Sequence, residues 1–142
     1  MKKYIFALIL CFISCKKTDT YEDKISNKLE SLDNFSFQNY SFVIIIPGSG
    51  CTGCISEAES FFHENIDNEN VFFIFTKINS VKNLRLRFGN LLDRINVLVD
   101  QKDSFYIRDT NTSIYPVIIY IQNKGNLKYD FFDSGVDMQL PK

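Results

Sequence analysis

Tryptophan is absent from this chain, and histidine occurs once, as His63. The aromatic content is instead 14 Phe and 7 Tyr, a mixture that fits a phenylalanine-filled core better than a surface for stacking bases. An excess of charge of one sign is also missing: 16 Lys and Arg face 17 Asp and Glu, which excludes an electrostatic grip on nucleic acid. With 45% hydrophobic and 23% charged residues, the composition is that of a folded protein rather than a disordered one. No apolar run reaches the roughly 20 residues needed to span a bilayer. Internal repeats and low-complexity segments are lacking too, and 142 residues suffice for one ordinary core but not two.

What the chain does have is four cysteines: Cys11, Cys15, Cys51 and Cys54. Counted alone they allow two disulfides or a metal site. Their positions separate them. Met1-Lys2-Lys3 gives a basic start, and Tyr4 to Ile13 is an unbroken apolar or aromatic run, the order of a secretory signal peptide. It ends at Phe12-Ile13-Ser14-Cys15, which resembles the lipobox of bacterial lipoproteins, with a small residue directly before a cysteine that is lipidated and becomes the mature N-terminus. Phe12 stands where leucine is usual, and bulky Leu10 makes Cys11 the poorer candidate. The alternative is a buried N-terminal segment with two incidental cysteines. On the lipoprotein reading, residues 1–14 are a signal peptide, Cys15 is consumed by thioether formation, and a single pair of cysteines remains free. Attached acyl chains then hold the protein on the membrane, each buried CH₂ contributing about 0.8 kcal/mol.

Residues 15–34 read as a lipidated tether that leads into a short amphipathic helix, with Ile25, Leu29 and Leu32 at helical spacing. A tether without structure is the other possibility. Residues 35–142 form the domain. Phe42 to Ile46 is a β-branched apolar run closed by Pro47-Gly48, as expected of a strand covered on both faces. Ile55, Ala58, Phe61, Phe62 and Ile66 mark a helix that opens near Cys51. Val71 to Thr76 is a second buried strand. Val81, Leu84, Phe88, Leu91 and Ile95 form a helical stripe with Ser80 as its N-cap. Val97 to Val99 is a short third strand, Gln101 to Thr112 a polar stretch around Phe105, Pro116 opens a fourth strand, and Leu127 to Phe132 closes a hairpin through Asn123-Lys124-Gly125-Asn126. Strands alternating with helices and ending in a hairpin predict a three-layer α/β domain with a mixed sheet.

The chemistry-bearing motif is Cys51-Thr52-Gly53-Cys54, which follows a buried strand and opens a helix. Unpaired amides at a helix N-terminus stabilise a thiolate on the first cysteine, lowering its pKa below the free value of about 8.5. The spacing lets Cys54 attack the sulfur of Cys51 and resolve a mixed disulfide. A zinc site needs about four ligands, and only His63 joins these two cysteines in the mature chain. No metal and no cofactor are expected; the alternatives are a Cys₂His site completed by a carboxylate or a partner, and copper delivery by the two thiols with His63. A purely structural disulfide would close so small a loop that its entropic contribution is slight.

On Phe42-Val-Ile-Ile-Ile-Pro47 before Cys51-Thr-Gly-Cys54, and on Ile114-Tyr115-Pro116-Val-Ile-Ile-Tyr-Ile121 followed by Lys124-Gly125, the chain resembles the thioredoxin-like superfamily. Within it, the likeness is to periplasmic thioredoxin-like lipoproteins and membrane-tethered thiol-disulfide oxidoreductases. The resemblance covers about residues 40 to 133. It implies a thioredoxin-like three-layer α/β/α sandwich, a cis proline at Pro116 facing the active-site disulfide, and substrate contacts from Thr52, Gly53 and Tyr115. Three departures stand out. Gly50 replaces the aromatic residue common before the first cysteine, Ile45 occupies the place of a buried acid, and too few residues follow Phe132 for a full final helix. The peroxiredoxin pattern around the first cysteine is not reproduced.

The resulting expectation is a lipid-anchored thiol-disulfide oxidoreductase of the cell envelope, reductase-like, with Cys51 as nucleophile, Cys54 as resolving thiol and Pro116 beside them. Its partners would be a protein thiol or disulfide substrate and a redox partner. Lys16-Lys17 after the lipidated cysteine favours an anchor that faces the periplasm. The alternative is a thioredoxin-like binding or accessory lipoprotein whose disulfide stabilises and does not turn over.

Overall fold

The computed structural model describes residues 19–108, 111–123 and 126–132. The expected signal peptide and the lipidated Cys15 lie outside the described residues, as do Lys124 and Gly125. Apolar β-branched and aromatic runs form β1 (Phe42–Pro47), β2 (Val71–Thr76), β3 (Val97–Val99) and most of β4 (Val117–Asn123), and an alternating polar and apolar segment forms β5 (Asn126–Phe131). They make one sheet in the order β3-β2-β1-β4-β5. The pairs β1/β2 and β2/β3 are parallel, while β1/β4 and β4/β5 are antiparallel, so the sheet is mixed.

Three α-helices cover it: α1 (Tyr21–Glu30), α2 (Thr52–Asn65) and α3 (Val81–Phe88). Strand alternation divides the core in two. Phe42, Ile44 and Ile46 of β1, with Phe73 and Phe75 of β2, pack on Ala58 and Phe62 of α2 and on Leu84 and Phe88 of α3. Val43 and Ile45, with Phe72 and Ile74, face the other way onto Tyr21, Ile25 and Leu29 of α1. The three-layer α/β/α arrangement anticipated from the alternation of elements is present, compatible with a thioredoxin-like sandwich.

Each helix start has a chemical cause. Thr20 and Asp23 form a capping box on α1: the Asp23 N–H donates to Thr20 Oγ1 at 3.2 Å and the Thr20 N–H donates to Asp23 Oδ2 at 3.1 Å. The Asn83 N–H donates to Ser80 Oγ at 3.2 Å, so Ser80 caps α3 as its sequence position suggested. The long stripe running to Ile95 is not one helix. Gly89, at φ +55°, ends α3, and a 3-10 segment follows at Gly89–Asp93. The change of period rotates Ile95 off the buried face, and it is 81% exposed.

Among the described residues, buried side-chain polar atoms are paired. Asn96 Nδ2 donates to the carbonyls of Ile66 and Val71, both at 3.1 Å, tying the end of α2 to the start of β2. Asp100, directly after β3, accepts from Thr76 Oγ1 and from the Phe105 N–H, both at 2.8 Å, and so fixes the loop that seats Phe105 in the second core. Among the described residues, no helix is long and apolar enough to cross a membrane.

Candidate redox site

The end of the sheet at which β1 and β2 finish carries the cysteines. After Pro47 the chain turns through Gly48-Ser49-Gly50 and enters α2 with Cys51 as its N-cap. Gly50 is the tightest point of that turn. A Cβ there would stand 2.1 Å from the Ile114 carbonyl oxygen, and its φ of +152° is one that side chains rarely adopt. Glycine in place of the usual aromatic residue, which looked like a departure from the family pattern, is therefore a steric requirement of this turn.

Cys51 and Cys54 are joined as a disulfide, with their Cα atoms 5.4 Å apart. The Cys54 N–H donates to Cys51 Sγ at 3.4 Å, so the sulfur receives one of the free amides of the first helical turn. No acidic residue lies in that turn to oppose the positive end of the helix. The two cysteines differ in access: Cys54 is 3% exposed, whereas Cys51 is only partly buried. The accessible sulfur thus belongs to Cys51 and the sheltered one to Cys54, the asymmetry that an attacking and a resolving thiol require. Thr52 and Gly53 are both exposed on the outside of the turn, and a Cβ on Gly53 would meet nothing.

The loop before β4 lies against this turn, as the resemblance implied, but by a different contact. The Tyr115–Pro116 bond is trans, as is every peptide bond among the described residues, and the expected cis proline is corrected accordingly. Pro116 is buried and runs straight into β4, where its carbonyl accepts the Phe132 N–H at 2.9 Å. In this extended path the Ile114 carbonyl reaches the dithiol turn, accepting the Cys51 N–H at 2.9 Å. Tyr115 is 36% exposed, and its ring lies 5.8 Å from that of Phe131. Ile114 entered the sequence reading only as part of the motif around Pro116; its role in anchoring the loop to Cys51 joins segments far apart in the chain and leaves no local signal.

Ile45 is buried and apolar in the second core, so β1 supplies no acid there. The carboxylate of Asp100 is committed to Thr76 and Phe105. His63 is exposed, with its ring 5.2 Å from Phe88. Among the described residues, no three His, Cys, Asp or Glu side chains cluster as a metal site needs. Comparison with known protein families, curated proteins and solved structures finds no match to this chain. The site therefore stands on its own geometry.

Proposed function

We propose that this protein is a lipid-anchored thiol-disulfide oxidoreductase of the cell envelope, reductase-like and facing the periplasm. The observation that supports it best is the Cys51–Cys54 pair, at disulfide distance at the start of α2, with Cys51 the more accessible of the two. In the forward reaction the Cys51 thiolate attacks one sulfur of a substrate disulfide and expels the other as a thiolate, leaving a mixed disulfide. Cys54, losing its proton, attacks Cys51 Sγ and closes the internal bond, and the second substrate sulfur leaves. The substrate gains two electrons and two protons, and a dithiol donor returns Cys51 and Cys54 to the reduced state. Thr52, Gly53 and Tyr115, all exposed, are the residues proposed to receive the substrate chain, with buried Pro116 positioning the loop that carries Tyr115. The anchor is the lipidated Cys15.

A second reading draws on Ile45 and on the trans Pro116. A scaffold without a buried acid on β1 and without the cis proline of the family suits an accessory lipoprotein that holds a partner and whose disulfide only stabilises. The alkylation rate of reduced Cys51 against pH separates the two. An exchange-competent thiol titrates below the free value of about 8.5. A midpoint at or above that value favours the accessory role.

A further inference from the structure

Aromatic packing determines where the tether leaves the fold. Tyr21, the first residue of α1, is buried with its ring 4.7 Å from Tyr129. The Tyr129 ring is 5.7 Å from Phe131, and Phe131 is 5.8 Å from Tyr115. A side-chain hydrogen bond links Tyr21 to Thr112, two residues before Ile114, whose carbonyl holds the Cys51 N–H. A run of contacts thus joins the start of α1 to the dithiol turn. Strand register places Phe131 level with Ile45 through Val117, and Tyr129 level with Val43 through Ile119, so this aromatic edge runs along β1 toward its dithiol end. The capping box at Thr20 fixes where the helix starts.

Cys15 precedes Tyr21 by six positions. Even fully extended, that segment spans only about 20 Å at 3.3–3.6 Å per residue. A domain of this size is about 35 Å across, from a radius of gyration of about 13 Å for 100 residues. A tether shorter than the domain is wide cannot let the far end, where Ile95 stands just before β3, reach the bilayer in place of the near end. The near end is also the one built for an interface: Ile114 is 47% and Tyr115 36% exposed, and Tyr129 and Phe131 are half-buried on edge strand β5. Tyrosines of this kind favour the headgroup level of a membrane, and Lys16 and Lys17 beside the anchor favour anionic lipid.

We propose that the anchor turns the dithiol toward the membrane, with the Tyr115–Phe131–Tyr129 edge resting at the headgroups, so that Cys51 serves disulfides on membrane-proximal loops of integral membrane proteins. This rests on the lipidation of Cys15 proposed above and adds to it the location of the substrate. Because the chain has no tryptophan, a single introduced one reports a single position. The test uses the full-length chain purified from membranes and placed in vesicles of phosphatidylethanolamine and phosphatidylglycerol whose acyl chains are brominated near the headgroup. Tyr115→Trp is expected to lose most of its emission in these vesicles, and Ile95→Trp to keep it. Phe131→Trp is a second reporter of the same edge should Tyr115→Trp fold poorly. Inserting about ten Gly and Ser residues after Lys17 is expected to restore emission by freeing the orientation. Equal quenching at the two ends, or stronger quenching at Ile95, overturns the proposal. The mass of the purified chain distinguishes the failures: a lipid-free Cys15 overturns the anchor and this inference together. A lipidated chain with unquenched Tyr115→Trp overturns the inference alone and leaves the exchange chemistry untouched.

Discussion

Gly50→Ala is the smallest change that reaches the dithiol without touching a sulfur. The added methyl would sit 2.1 Å from the Ile114 oxygen, against the backbone of that residue, so the loop before β4 must move away. Moving it breaks the 2.9 Å hydrogen bond from the Cys51 N–H, a loss of about 1 kcal/mol. Holding alanine at a φ of +152° adds about 1–3 kcal/mol. The sum, about 2–4 kcal/mol, is a large fraction of the stability of a domain this size. Urea unfolding of the oxidised proteins, followed by far-ultraviolet circular dichroism, is expected to show the midpoint lowered by about 1–2 M, taking a slope of about 2 kcal/mol per molar. The reduced variant is also expected to be alkylated at Cys51 at an altered rate, because the amide of that residue no longer points at a fixed acceptor. A variant within about 0.5 kcal/mol of the parent, the spread of ordinary surface changes, would refute the close approach.

Three further outcomes follow from the packing. Phe62 is fully buried with rings 5.0 Å from both Phe73 and Phe75, so Phe62→Ala is expected to cost about 3–5 kcal/mol in the same urea assay. Asp100→Ala leaves the buried Thr76 hydroxyl and the Phe105 N–H without their acceptor, and is expected to cost about 2–4 kcal/mol; a hydrogen-exchange experiment should show the loop at residues 101–107 losing protection first. Burial, with Tyr129 alongside, pushes the Tyr21 phenol well above the ordinary tyrosine range. Its contribution is complete below the unfolded value of about 10 and is lost as pH rises above it, at about 1.4 kcal/mol per pH unit. Tyr21→Phe is expected to flatten the fall in stability above that pH, with burial of Tyr40 accounting for part of the remaining slope, and an unchanged slope would contradict the assignment.

Most of the sheet was legible because β1, β2 and β3 are continuous apolar runs bounded by turns, and β5 was legible from its hairpin spacing after β4. Val71–Thr76 and Val97–Val99 begin and end where those runs do. The stripe from Val81 to Ile95 misled because spacing does not register a break in period at Gly89, whose conformation is set locally. Cys51 and Cys54 were legible for the same reason as the strands, since strand, turn and helix start are adjacent in the chain. The surroundings of the dithiol were not. That Gly50 must be glycine, and that Ile114 holds Cys51, depends on a loop from the other half of the domain. The cis proline carried over from the resemblance failed at Pro116, where the trans chain gives the contact to Cys51 through Ile114. The pairing of Thr76 with Asp100 also went unseen, although a polar residue closing the buried strand β2 and another directly after β3 are a signal that could have revealed it.

The most direct test of the central claim, that Cys51 attacks a substrate disulfide and Cys54 resolves it, is trapping. With Cys54→Ser in the full-length chain, the mixed disulfide on Cys51 has no internal thiol to release it. In membranes from cells that make this variant, reductant-sensitive adducts are expected on non-reducing gels, and they should vanish when Cys51 is also changed to serine. Adducts missing from the Cys54→Ser chain, or persisting without Cys51, would contradict the account.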